Sequence, residues 1–67
     1  MSVARVTEIT AASPQSFDHA VKLGIERAAK TLQNVQGAWV NEMKVVVDGD
    51  RITEYRVNLK VTFVLKD

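Results

Sequence analysis

The sequence predicts an α+β domain of β-α-β-β order, with one helix packed on one face of a three-stranded antiparallel sheet. Three observations carry that expectation. Residues 14–34 repeat apolar or small side chains at steps of three and four, residues 51–65 alternate apolar with polar, and Asp48-Gly49-Asp50 places a tight turn between two β-rich stretches. The 67 residues contain no cysteine, one proline and three glycines, and they show no repeat, linker or low-complexity tract, so a single domain over 1–67 is expected.

The first strand is expected over residues 3–10, Val-Ala-Arg-Val-Thr-Glu-Ile-Thr, which are rich in β-branched side chains. Ser13 before Pro14 then reads as an N-cap hydroxyl ahead of a proline at the first helical position, where its missing N–H costs nothing. From Pro14 to about Asn34 one face carries Phe17, Ala20, Val21, Gly24, Ala28, Thr31, Leu32 and Val35. The opposite face carries Asp18, Lys22, Glu26 and Lys30, each four residues from the next and alternating in sign. Gly24 costs about 1 kcal/mol in a helix interior relative to alanine, so its place on the apolar stripe suggests close approach to the sheet.

Gly37 is expected to end the helical pattern, with a second strand over residues 38–47. Its apolar parity changes from even (Ala38, Val40) to odd (Met43, Val45, Val47), and a β-bulge at Asn41-Glu42 would return both sets to one face. In the third strand the apolar set is Tyr55, Val57, Leu59, Val61, Phe63 and Leu65. Fifteen extended residues span roughly 50 Å, whereas a helix of twenty-one covers only about 30 Å. One helix cannot cover such a sheet, and the apolar end around Phe63 and Leu65 is expected to need another subunit. A chain of this size also buries only about 60% of its unfolded surface, which again favours oligomerisation. Local pattern leaves the strand order open between 1-3-2 and 1-2-3.

Nine Lys/Arg against eight Asp/Glu give a net charge of +1, which offers no surplus to neutralise a phosphate backbone, so nucleic acid is disfavoured. No apolar run suits a signal peptide or a membrane span, and the lack of cysteine fits a cytoplasmic protein without membrane partners. His19 is the sole histidine. Ser16 and Asp18 lie three and one residues from it on one helix and cannot make a nucleophile–base–orienter chain, so it reads as a polar residue of the solvated face. No catalytic residues are expected. Asp48 and Asp50 read as turn chemistry, because the remaining ligands of a calcium loop are missing. Arg56 shares the polar face of the last strand with Glu54 and Lys60, and its planar fork of donors suits an anion or a ring edge. Trp39, the only tryptophan, is either an interface anchor or a stacking platform.

Taken in order, Val3 to Ile9, Ala12-Ser13-Pro14, Ile25-Glu26-Arg27-Ala28, Lys30-Thr31-Leu32 and Tyr55-Arg56-Val57-Asn58-Leu59-Lys60-Val61-Thr62-Phe63 resemble the dodecin family from end to end. The resemblance implies a hollow homododecamer with helices outward and sheets lining the interior. Typical members stack flavin between symmetry-related tryptophans and hydrogen-bond its ring edge through the glutamine of a Tyr-Gln motif. Aligned on Lys30-Thr31-Leu32, that tryptophan falls at Gly37, and Arg56 replaces the glutamine. The chain therefore resembles more closely a flavin-poor branch that lacks the tryptophan, carries Tyr-Arg and includes calcium-associated members. Gly37, Trp39 and Arg56 become the cofactor-site candidates. The expected function is a non-enzymatic shell that stores or buffers a small anionic or aromatic ligand, with a weakened pocket for FMN, FAD or riboflavin. The alternative cargo is calcium or another cation, whose ligands are not assigned.

Overall fold

The computed structural model describes residues 3–65. They form β1 (Val3–Ser13), α1 (Phe17–Thr31), β2 (Val35–Asp48) and β3 (Arg51–Leu65). β3 lies in the middle of an antiparallel sheet of order β1-β3-β2. β1 and β2 both run antiparallel to β3 and hence parallel to each other, so they need a crossover. The helix provides it, and β3 fills the gap left between them. This long-range pairing settles the order that local pattern left open.

The longest dimension of the molecule is 51 Å, the length of the β2–β3 ribbon. The helix has 15 residues, which is about 22 Å at 1.5 Å each. It packs mainly on β1 and β3 and barely on β2. Ala20 and Ala28 of the helix and Val57, Leu59 and Val61 of β3 form the closed core. Each fully buried β3 side chain contributes about 1.5–3 kcal/mol relative to exposure. Phe17 meets Tyr55 edge to face, with ring centroids 5.1 Å apart. Gly24 is buried where an added Cβ would stand 2.9 Å from Leu59 Cδ1 and 3.1 Å from Ala11 Cβ. The close approach expected at Gly24 is therefore present. Asp18, Lys22, Glu26 and Lys30 are exposed as expected.

Three boundaries differ from the sequence reading. Ser13 is the last residue of β1 and fully buried, not the helix cap. Ser16 is the cap: its backbone is extended and its hydroxyl accepts from the His19 backbone N–H at 3.0 Å. The residue before a proline is pushed toward extended backbone, which keeps Ser13 in the strand and delays the helix until Ser16 can reach an orphan N–H. At the other end α1 closes at Thr31, and Asn34 takes the left-handed turn with φ 62°. Asparagine tolerates that conformation, so Gly37 is not needed there and lies inside β2. As a result β2 starts at Val35, three residues before the expected 38.

The expected bulge is present. Pairing skips from Val40↔Leu59 to Glu42↔Asn58, leaving Asn41 out of the ladder. Ala38 and Val40 before it, and Met43 and Val45 after it, all lie opposite odd residues of β3 and thus on the helix side, whereas Val47, expected with them, pairs with the even Ile52 because a second register shift follows Val46. Gly49 has φ 67° in the two-residue turn between β2 and β3, a conformation that favours glycine at the first turn position. The uncovered apolar surface is present in part where expected, since Leu65 is 44% exposed, and it extends onto β2. Phe63 is half-buried, while Val40 and Met43 of β2 are 48% and 56% exposed because the helix leans away from them.

Candidate functional site on the open sheet face

Alternation along β3 sends Val57, Leu59 and Val61 under the helix, so Glu54, Arg56, Asn58, Lys60 and Thr62 project from the opposite, open face. Cross-strand register then fixes their neighbours. Gly37 pairs with Thr62 and Trp39 with Lys60, with no register shift between them, so both belong to this face. Trp39 is 62% exposed, and space beside Gly37 is open, with nothing within 4 Å of an added Cβ. Arg56 is flanked by Ala12 of β1 and Lys44 of β2. It lies four residues along β3 from Lys60, about 13 Å at 3.3 Å per residue. One chain brings Gly37 and Trp39 together and leaves Arg56 apart from them. Within one chain only a ligand long enough to bridge that spacing touches both Trp39 and Arg56.

Between these two points the middle of the face is held by amide chemistry. Asn58 Nδ2 donates to Glu8 Oε2 at 3.0 Å and to Thr10 Oγ1 at 3.2 Å, and its Oδ1 accepts from Asn41 Nδ2 at 3.0 Å. One asparagine of the central strand thereby ties both edge strands together. Beside it, Arg56 Nε donates to Glu54 Oε1 at 2.9 Å, the one ion pair among the described residues. That pair is about half exposed, so it orients the guanidinium more than it stabilises the fold. Sequence reasoning missed Asn58, Thr10 and Lys44. Lys44 could have been found by carrying the bulge forward, since it puts the even residues of late β2 on the same face as Arg56.

His19 is half-buried, in contrast to the solvated residue expected from the helix pattern. Its Nδ1 lies 2.6 Å from Ser13 Oγ, which also accepts from the Gln15 N–H at 2.9 Å. With the backbone N–H taking one lone pair, the Ser13 hydroxyl is free to donate to the imidazole. Ser13 has no exposed surface, so this serine–histidine contact fastens the corner between β1 and α1 and offers no substrate access. Asp48 and Asp50 are exposed at the hairpin turn, and no group of three or more His, Asp or Glu gathers among the described residues. Calcium takes six to eight oxygen ligands. The described residues of one chain do not gather three carboxylates for such a set.

The match to the dodecin family model covers residues 3–66. The chain belongs to the dodecin family. Calcium dodecin of Mycobacterium tuberculosis is 32% identical over 66 residues, covering 98% of this chain and 93% of that protein. The solved dodecin of Streptomyces davaonensis is 35% identical with a TM-score of 0.94, covering 98% of this chain and 97% of its own. The solved calcium dodecin of Mycobacterium tuberculosis, described as calcium-chelating and as having a calcium-binding site, is 32% identical with a TM-score of 0.83 over 97% and 93% of the two chains. The resemblance read from the ordered motifs is thus the correct family, and the three-stranded sheet with one helix is the fold of its solved dodecin relatives. No helix among the described residues is long and apolar enough to cross a membrane.

Proposed function

We propose that this dodecin assembles into a hollow homododecamer that binds and stores a small ligand on its inward sheet faces without transforming it. The observation that supports the shell is the division of the β2–β3 ribbon: its helix side leaves Val40 and Met43 exposed, while its other side carries Glu54, Arg56, Asn58 and Lys60 beside the exposed Trp39. Apolar residues that the chain's own helix fails to cover are best buried by a second copy, and doing so turns the polar faces toward a shared interior. The shell is cytoplasmic in this reading. Its pocket is a weakened flavin site, in which Trp39 substitutes from a displaced position for an aromatic ring absent at Gly37, and Arg56 donates to the ring edge. Arginine has donors and no acceptor, so it serves a ring carbonyl but cannot accept from a ring N–H as glutamine does.

Calcium is the second reading. It is supported by the calcium dodecin relative at 32% identity and by the Tyr55-Arg56 pair in place of Tyr-Gln. Parallel titrations of the assembled protein with riboflavin, followed by flavin fluorescence quenching, and with calcium, followed by calorimetry, separate the two. Weak riboflavin quenching without calcium heat supports the flavin-class shell. Calcium heat without quenching replaces it with the cation reading, and neither signal refutes both.

A further inference from the structure

We infer that Lys44, Arg56 and Thr10 form an oxyanion-binding site on the open face, distinct from the Trp39 surface and sized for a single phosphate-like group. It deepens the storage reading by naming a ligand chemistry, and it depends on that reading only for its biological use.

Lys44 and Arg56 are direct cross-strand partners on the same face. Like charges directly opposite one another in an antiparallel pair destabilise it, and a bound anion removes that repulsion. Nε of Arg56 is held by Glu54 Oε1 at 2.9 Å, which fixes the guanidinium plane, and its two terminal amino groups have no protein partner among the described residues. Lys44 has no ion-pair partner among those residues either. Thr10 Oγ1 accepts from Asn58 Nδ2, so its own hydrogen remains available to a ligand. Asn58 is in turn fixed by Glu8 and Asn41, which leaves Thr10 little freedom to turn away.

Thr10, Glu42, Lys44, Arg56 and Asn58 line one concavity of about 190 Å³. Sites for drug-sized molecules usually run to about 300–1,000 Å³. Within one chain this concavity is too small to enclose a fused ring system, so a flavin whose edge met Arg56 would lie mostly outside it, and it suits a tetrahedral oxyanion gripped by a bidentate guanidinium and a lysine point charge. Glu42 opposes the anion. It therefore gives the site a testable sign, because neutralising it strengthens an anion site and weakens a cation site.

The test is equilibrium dialysis of the purified assembly against labelled inorganic phosphate, for the wild type and for Lys44→Gln, Glu42→Gln and Trp39→Ala. Lys44→Gln is expected to weaken phosphate binding by about tenfold, the loss of one charge-assisted contact. Glu42→Gln is expected to tighten it, a gain that misfolding cannot imitate, and Trp39→Ala to leave it unchanged. FMN and riboflavin titrations then identify the source of the group. FMN binding tighter than riboflavin, with the difference lost in Lys44→Gln, assigns the site to the phosphoryl tail of a ligand; phosphate binding with no FMN advantage assigns it to the free ion. Failure of both flavins beside Lys44-dependent phosphate binding sinks the flavin reading and leaves this one standing. Absence of phosphate binding, equal binding in Lys44→Gln, or weaker binding in Glu42→Gln overturns the oxyanion site.

Discussion

Gly24→Ala sets two effects of known sign against each other inside the core. Alanine is favoured over glycine in a helix interior by about 1 kcal/mol, so at an exposed position the change would stabilise. At Gly24 the added methyl stands 2.9 Å from Leu59 Cδ1 and 3.1 Å from Ala11 Cβ, with Ile9 Cδ1 at 3.7 Å. Leu59 is fully buried beside Val57 and Val61, so its methyl yields only by rotating the side chain away from its present packing. The Ala11 Cβ is attached to backbone and yields only if β1 moves. Overpacking of this kind costs about 1–3 kcal/mol. Subtracting the propensity gain leaves a net loss of about 0–2 kcal/mol, with about 1 kcal/mol as the expected value. The assay is urea unfolding at one fixed protomer concentration, since dissociation contributes to the apparent stability of any assembly. Ala29→Gly, on the exposed side of the same helix, measures the propensity term alone and is expected to cost about 1 kcal/mol. A Gly24→Ala protein more stable by the full propensity gain would refute the close approach of helix and sheet.

Leu59→Ala is expected to lose about 2–5 kcal/mol by opening a cavity at the centre of the sheet, read from the same unfolding curves. Ser16→Ala removes the helix cap and is expected to cost about 1 kcal/mol, whereas Ser13→Ala strands the Gln15 N–H and His19 Nδ1 and is expected to cost about 1–3 kcal/mol. If the Ser13 change is silent and the Ser16 change severe, the buried corner has been overvalued. Met43→Asp should leave the protomer folded by circular dichroism and prevent assembly by placing a charge on the exposed apolar strip of β2, a result checked by light scattering. Gly37→Trp combined with Arg56→Gln, both open to solvent, is expected to tighten riboflavin binding at least about tenfold, the effect of about 1.4 kcal/mol of restored stacking and acceptor chemistry. An unchanged affinity would show that Trp39 and Arg56 already make a competent pocket.

The parts of this fold that were readable in the chain are those encoded by local period. The alternation from Tyr55 to Leu65, the parity change around Asn41, the Gly49 turn and the small residue at Gly24 each have one physical explanation, and each is present. Where two residues could perform one task, the choice was not local. Ser13 and Ser16 are both capping hydroxyls, and the strand pairing of Ser13 with Tyr55 decides between them. Asn34 and Gly37 can both accept a left-handed turn, and the hydrogen bond from the Val64 N–H to the Asn34 carbonyl at 3.1 Å places the turn at Asn34. The site was less legible for the same reason. Arg56 and Trp39 were visible as residue types, but their separation along β3, the Lys44 opposite Arg56 and the Asn58 bridge between three strands exist only once the register is known.

The assembly is the claim on which the storage reading rests, and the mass of the native particle tests it most directly. Sedimentation velocity of the purified protein at micromolar protomer concentration is expected to show one species of about 90 kDa, twelve copies of the 7.4 kDa chain. A stable monomer or dimer across that range would contradict the shell and the shared interior surface with it.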